Sequence, residues 1–321
     1  MTVTGHIGDV VSSAGMGTSR SLEAPSRRLG ELAIKGLLGL CATVSVVVTT
    51  AIVISLVLPS LSFFGEVSIL EFLTGTEWAP AFASPSFGVL PILIGTLSVV
   101  FFALLTGVPI GLASAIYLSE YASRRTRKTV KPVLEMLEGI PTVATGLFAF
   151  LFLVPLAQDT LPFLNWRGPF SYGVAGVAVG LIIVPLIASV TDDAMRSVPA
   201  GLREGAYALG ASKLKVSARV ILPAAISGVI AGIVLATSRA IGETMVVLLV
   251  AGAGNPNINL NPAQGAQTMT AYIGGTATGD IAQGTVVYNT IFAVGTLLFV
   301  MTLAMNVIAI RTVRRFREIY E

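Results

Sequence analysis

Long uncharged stretches of apolar residues alternate along this chain with short clusters of basic residues. A helix needs roughly 20 residues to cross the hydrocarbon core of a membrane. Six uncharged stretches reach or approach that length: Gly36–Gly65, Trp78–Ser119, Gly139–Gln158, Gly168–Thr191, Val220–Ser238 and Ile281–Ile310. We predict transmembrane helices near 34–58, 88–118, 133–157, 170–195, 224–252 and 286–311. Backbone groups in lipid must be paired internally, and the stretches lack the alternation of a membrane strand, so the pattern predicts an all-α membrane protein with six transmembrane helices.

The composition supports a membrane protein and disfavours an enzyme. Of 321 residues, 54% are hydrophobic and 12% are charged, whereas a soluble domain carries about 25% charged residues. The chain has one histidine, His6, and one cysteine, Cys41, which leaves little material for a metal site or a Cys/His catalytic pair. No phosphate-binding loop of the form G-x-x-x-x-G-K-[ST] is present, so we expect no nucleotide site and no cofactor in this chain.

The basic residues predict the orientation in the membrane. Of the 20 lysines and arginines, 18 lie before the first predicted span, between spans two and three, between spans four and five, or after the sixth. Positive residues stay on the cytoplasmic side, so we expect both termini to be cytoplasmic, with tails at 1–33 and 312–321 around a membrane domain at 34–311. The net charge of +3 follows from this topology, and we predict no nucleic-acid partner. Glu120, Glu135 and Glu138 flank a basic loop, and we expect them to be solvated.

The segment at about 196–223 is too polar to span a membrane and too regular to be a linker. Four apolar residues follow helical spacing: Leu202, Ala206, Leu209 and Ala211. Gly210 is expected to break that helix, and Pro223 to open the fifth span, since proline is tolerated in a first helical turn. The periodicity is equally compatible with a helix–turn–helix that presents an apolar ridge and with a helix lying flat on lipid headgroups.

This segment resembles the EAA loop of bacterial ABC importer permeases, in which Glu-Ala-Ala, a later Gly and an Ile-x-Leu-Pro run stand at fixed spacing. Here the pattern is Glu204-Gly205-Ala206, then Gly210, then Val220-Ile221-Leu222-Pro223. The resemblance implies a type I ABC importer permease fold with a cytoplasmic EAA coupling loop, which docks into a groove on an ATPase subunit. It implies coupling roles for the following residues: Arg203, Glu204, Gly205, Ala206, Leu209, Gly210, Leu222 and Pro223.

Two further stretches resemble permeases of phosphate-specific importers. "EGIPTVATGLFAF" at 138–150 is similar to a "GIPSVVYGLF" run in that family, and "SRAIGETMVVLLVAG" at 238–252 is similar to its "RAxGETM" run. The continuation after Glu243 resembles the PstC-type permease. The resemblance implies a bacterial inner-membrane, multi-pass subunit that pairs with a PstA-type permease, two ATPase subunits that bind ATP and Mg, and a periplasmic or lipid-anchored phosphate-binding protein.

Arg239 and Glu243 are charged residues inside a predicted span. At a spacing of four they would lie on one helix face and neutralise each other. A guanidinium offers paired hydrogen bonds to phosphate oxygens. We therefore hypothesise that Arg239 contacts phosphate during transport, and that Glu243 pairs with Arg239 when the path is empty. The alternative is an ion pair that only holds helices together. Thr142, Thr145 and Thr244 complete the candidate path, because a broken third helix can present amides to an anion, although a packing kink explains the same residues.

Rival functions remain open at this point. A permease for another oxyanion, such as sulfate or molybdate, would have the same architecture. A proton-coupled secondary transporter would use Glu243 as its titrating group. Dependence on an ATPase partner separates that transporter from an importer permease, and the spacing of the EAA pattern favours the permease.

Overall fold

The chain is mostly α-helical over residues 29–254 and 256–315, which the computed structural model describes. The first helices are α1 (Leu29–Glu66), α2 (Ile69–Thr74), α3 (Leu90–Ile116), α4 (Arg124–Glu138), α5 (Thr142–Phe148), α6 (Val154–Thr160) and α7 (Tyr172–Ser197). They are followed by α8 (Ala200–Ala208), α9 (Lys213–Val216), α10 (Leu222–Ala224), α11 (Ile226–Ile241), α12 (Met245–Val250), α13 (Met269–Ala277) and α14 (Val286–Arg315). A short antiparallel ribbon pairs β1 (Trp78–Ala79) with β2 (Ser86–Phe87).

The described part of the chain has five or six membrane-crossing helices, where the sequence predicts six. Within the described residues, five helices are long and apolar enough to span a membrane: Gly30–Glu66, Leu90–Tyr121, Thr142–Thr160, Tyr172–Ser197 and Val286–Arg311. A sixth span arises if the bent pair Lys213–Ala224 and Ile226–Ile241 counts as one. Most of the predicted tail at 1–33 lies outside the described residues, and α1 begins earlier than predicted, at Leu29. The structure likewise describes the predicted tail at 312–321 only as far as Arg315, where α14 ends.

Two predicted spans are interrupted. The third was expected at 133–157, but α4 ends at Glu138 and the apolar span begins with α5 at Thr142. The fifth was expected at 224–252, but its straight part is α11, which ends at Ile241 before the short α12. Proline 223 does not open this span: it lies in α10, before a bend of 72°. The interruption of the third span agrees with the expectation of a broken third helix. The uncharged sequence of the fifth span did not indicate its break, because a broken membrane helix stays apolar.

The centre of the membrane domain is the contact between α3 and α7. Glycines on the two helices face the opposing backbone, so a Cβ added at Gly176 would lie 2.7 Å from the Val99 carbonyl oxygen and one at Gly107 would lie 2.9 Å from the Gly180 carbonyl oxygen. Such close approach is typical of membrane helices that pack through small residues. Ile183 and Ile187 of α7 are fully buried at this contact.

One end of the domain holds most of the described basic residues, and we call it the basic side. There α4 is capped by the Ser123 hydroxyl, which accepts from the Thr126 amide at 3.1 Å. Helices α8, α9 and α10 lie at the same end and enclose a small apolar cluster around Met195, Val216 and Ile221. The opposite end is an aromatic cluster that includes Phe63, Phe72 and Trp78. The helices of the basic side therefore pack against an apolar cluster of their own.

Candidate functional site

Two helix breaks come together inside the membrane domain, where Arg239 of α11 contacts Glu138 at the end of α4. The first separates α4 from α5, where Gly139 ends one helix and Pro141 precedes the next. The second separates α11 from α12, where Gly242 follows the last helical residue. Helix α5 then packs closely on α12: a Cβ added at Gly146 would lie 3.1 Å from the Val246 Cα. The two breaks thus form one junction rather than two independent kinks.

The arginine at this junction has a different partner from the one predicted. The Nη1 atom of Arg239 donates to Glu138 Oε1 at 2.6 Å, and its Nη2 atom donates to the Glu138 carbonyl oxygen at 3.3 Å. The two side chains are 30% and 33% exposed, respectively. Arg239 therefore both neutralises Glu138 and satisfies a carbonyl at the end of α4, where a cation is electrostatically favoured.

The predicted pairing of Arg239 with Glu243 is wrong for this structure, and so is the expectation that Glu138 is merely solvated. The i, i+4 rule holds only in a continuous helix, and α11 ends at Ile241. Glu243 lies beyond that end and is buried. Within the described residues it forms no ion pair, and its Oε1 accepts from the Val246 amide of α12 at 3.5 Å.

The threonines of the candidate path lie around the same junction. Thr142 is the first residue of α5, and Thr145 lies one turn further; both are partly buried. Thr244 lies in the second break and donates to the Gly242 carbonyl oxygen at 3.2 Å. The hydroxyl of Thr270 donates to the Glu243 carbonyl oxygen at 2.9 Å, so α13 supports the break from the other side. Thr270 was not among the residues selected from sequence.

The contact between α5 and α12 provides a stability test of the junction. We expect Gly146→Ala to lower the stability of the assembled protein by about 1–3 kcal/mol, the usual cost of overpacking. The added Cβ would lie 2.9 Å from Leu249 Cδ1 and against the α12 backbone. The measurement is the thermal unfolding midpoint in detergent. Gly36→Ala is the matched control, since a Cβ there meets nothing within 4 Å; equal midpoints for the two variants would contradict the close packing.

The predicted helix–turn–helix is present on the basic side. Helix α8 ends at Ala208, and Gly210 has φ of +76°, a left-handed conformation that glycine adopts without strain. The Ala211 amide then donates to the Ala206 carbonyl oxygen at 3.2 Å, which closes the turn. Gly210 therefore breaks the helix as predicted, for a conformational reason.

The apolar ridge predicted for this segment is divided between two faces. Ala206 and Ala211 pack inward against the apolar cluster of the basic side, as does Leu222. Leu209 points away and is 90% exposed, and Leu214 is 67% exposed. Glu204, Gly205 and Tyr207 of α8 are also exposed, as is Pro223 of α10. The exposed large apolar residues of this segment are thus Leu202, Tyr207, Leu209 and Leu214, of which Leu202 and Leu209 were predicted.

Arg203 fastens the helix–turn–helix to the membrane domain. Its Nη2 donates to the Met195 carbonyl oxygen at 2.7 Å and to Glu120 Oε1 at 3.2 Å, and its Nη1 donates to the Val198 carbonyl oxygen at 3.1 Å. The Glu120 side chain is only 5% exposed, so the expectation that it is solvated is wrong. This arginine connects α8 with the end of α7 and with Tyr117–Tyr121, a π-helical turn that continues α3.

Comparisons with known proteins agree with this architecture. A family model described as "Binding-protein-dependent transport system inner membrane component" matches residues 107–317. The "Probable ABC transporter permease protein YqgH" of Bacillus subtilis is 34% identical over 279 residues, covering 86% of this chain and 89% of that protein. The "Phosphate transport system permease protein PstC 1" of Mycobacterium tuberculosis is 34% identical over 277 residues, covering 77% and 82%. PstC of Xylella fastidiosa is 33% identical over 257 residues, covering 75% and 77%.

Solved structures share the fold. A bacterial alginate ABC transporter, crystallised with a periplasmic protein bound to an alginate pentasaccharide, has a chain that superposes with a TM-score of 0.60 at 19% identity, covering 90% of this chain and 98% of that one. An inward-facing MetNI methionine ABC transporter gives a TM-score of 0.51 at 21% identity, covering 72% and 95%. These likenesses confirm the type I ABC importer permease fold.

Proposed function

This chain belongs to the family of binding-protein-dependent transport system inner membrane components, and from that premise we propose that it is the permease subunit of an ATP-driven phosphate importer. The names of the PstC relatives support phosphate as the substrate. The observation that carries the proposal in this chain is the Arg239 guanidinium, which lies partly exposed where two broken helices meet. Family membership leaves the proton-coupled alternative without support.

In the proposed mechanism, phosphate replaces Glu138 as the acceptor of the hydrogen bonds that Arg239 donates. When the path is empty, Glu138 and the end of α4 hold the guanidinium. A phosphate that arrives takes over these donors, since a planar guanidinium pairs equally well with carboxylate and phosphate oxygens. When phosphate leaves, Glu138 returns, which prevents an unpaired cation from trapping the anion. Thr142, Thr145 and Thr244 lie close enough along the chain to the breaks to offer further hydrogen-bonding groups.

Movement would be driven by partner subunits. The exposed Leu209 and Leu214 form an apolar protrusion that fits a groove on an ATPase, and Arg203 transmits displacement to α3 and α7. We propose two ATPase subunits, which bind ATP and Mg, a PstA-type permease beside this chain and a phosphate-binding protein on the opposite side. Catalysis of ATP hydrolysis is then proposed to belong to the partners.

The basic side is proposed to be cytoplasmic, with both termini there. The chain is an integral membrane component by its family and its apolar helices. Positive residues remain on the cytoplasmic side of a membrane, and this side holds the segment that would meet an ATPase. The substrate-binding protein would then deliver phosphate at the aromatic end of the domain.

The test of the proposed function is uptake of labelled phosphate into vesicles that contain the whole complex and internal ATP. We expect uptake to require ATP and the binding protein, and to persist in excess sulfate or molybdate because neither anion competes for the site. Uptake of sulfate or molybdate in place of phosphate would keep the family assignment and contradict the substrate. Uptake driven by a proton gradient without ATP would contradict the mechanism.

A further inference from the structure

An open cavity of about 480 Å³ lies on the basic side, between α4 and the end of α7. Its charged lining is dominated by cations: Arg124, Arg127, Lys128, Lys131 and Arg196, with Glu135 as the single acidic residue among them. The α4 members recur every three or four positions, so they share one face of that helix. The cavity is separate from the Arg239 junction, and the transport mechanism does not use it.

Two of these cations already form ion pairs within the protein. Arg127 Nη2 donates to Asp192 Oδ2 at 2.6 Å, and Lys131 forms ion pairs with both Asp192 and Asp193. Asp192 is fully buried, so these bonds fix α4 firmly against α7. Arg127 and Lys131 therefore hold the walls of the cavity in place, and their charges are not free to bind an external anion.

The remaining cations lack such partners. In the part of the chain that the structure describes, Arg124, Lys128 and Arg196 form no ion pair, and all three are exposed. Glu135 offsets one of their charges, so the cavity keeps an excess of positive charge on a fixed scaffold. Such an arrangement suits an anion with several acceptor oxygens, because more than one cation can donate to it.

The aromatic residues indicate the depth of the cavity in the membrane. Tyr117 and Tyr121 lie exposed at the end of the span that begins with α3, and Ala122, which follows directly, lines the cavity. Tyrosine side chains concentrate at the level of lipid headgroups. The cavity opening consequently lies where the phosphate groups of lipids are found.

We propose that this cavity binds the phosphate group of an anionic lipid headgroup, held by Arg124, Lys128 and Arg196. The lipid bridges α4 and α7 from outside, in addition to the internal bonds of Asp192. Inorganic phosphate shares the chemistry of this group, but the depth of the opening favours the lipid. The inference does not depend on which anion the protein transports.

The experiment measures binding of fluorescent short-chain phosphatidylglycerol to the full-length chain, purified in detergent with its partner subunits. We expect Lys128→Gln/Arg196→Gln to weaken binding roughly 25-fold, because each cation near an anionic headgroup contributes about fivefold. The matched control is Arg125→Gln/Arg219→Gln, which removes two exposed cations outside the cavity. It should leave binding unchanged, and phosphatidylcholine should compete poorly.

Three outcomes would overturn the proposal. Equal weakening in the control variant would show that the lipid responds only to overall charge. Displacement of the lipid by millimolar inorganic phosphate, with binding of that phosphate lost in Lys128→Gln/Arg196→Gln, would make free phosphate the ligand. Loss of the ATPase subunits from this variant in detergent, with lipid binding intact, would make the cavity a protein interface.

Discussion

Arg239→Ala is expected to lower ATP-dependent phosphate uptake by about 100-fold while the complex still assembles. The variant removes two charge-assisted hydrogen bonds, each worth about 1.5 kcal/mol, and the sum of about 3 kcal/mol corresponds to two orders of magnitude. The measurement is initial uptake in vesicles at matched amounts of complex, together with ATP hydrolysis. Uptake at the wild-type rate would exclude Arg239 from the transport path.

The partner of Arg239 supplies the controls for this result. Arg239→Lys keeps the charge but loses the planar pair of donors, so we expect an intermediate loss of uptake. Glu138→Gln weakens the bond that holds the guanidinium in the empty state, so phosphate should bind more tightly and leave more slowly. Glu243→Gln should not produce that signature, since Glu243 makes its contact with the α12 backbone. Loss of assembly in every Arg239 variant would favour a purely structural ion pair.

The second large effect is expected for Arg203→Ala, which should uncouple ATP hydrolysis from transport. The variant leaves the buried Glu120 carboxylate without its cation and frees two carbonyl groups at the end of α7. Removing one partner of a buried ion pair costs about 3 kcal/mol at the lower end of the usual range. We therefore expect uptake to fall at least about tenfold, while hydrolysis by the partner subunits continues.

A double variant separates coupling from simple misfolding. Glu120→Gln/Arg203→Ala removes the orphaned charge, so the complex should regain its thermal stability but remain uncoupled, because α8 is still detached from the spans. Lys215→Ala is the matched control, since Lys215 is an exposed cation of the same helix–turn–helix. Restored uptake in the double variant would show that Arg203 only neutralises Glu120 and does not transmit movement.

The residues at the junction show what sequence reasoning could and could not reach. Arg239 was identified because a charged residue within an apolar stretch can be recognised from the sequence without knowing the fold. Its partner was missed because Glu138 lies 101 positions away and terminates a polar helix that looks solvated. A signal was available: Gly139 and Pro141 mark a helix end, where unpaired backbone carbonyls and an acidic side chain both attract a cation.

The helix–turn–helix was predicted better than its contacts. The positions of Glu204, Gly210 and Pro223 follow a fixed pattern, and the turn at Gly210 needs only local backbone freedom. Which apolar residues face outward depends on the cluster around Met195 that α8 packs against. Periodicity placed Leu209 with Ala206 on one ridge, whereas the turn directs Leu209 outward and Ala206 inward.

By itself, the sequence determined the membrane class, the number of spans and the polar segment that lies between the fourth and fifth. These follow from transfer of apolar residues into lipid and from local backbone preferences, which act on neighbouring residues. Only the tertiary structure decided that the fifth span is broken as well as the third, and that Arg239 pairs with Glu138 and Arg203 with Glu120. Those pairings depend on which helix ends lie close together in the folded protein. The distance between two residues along the sequence does not show this directly.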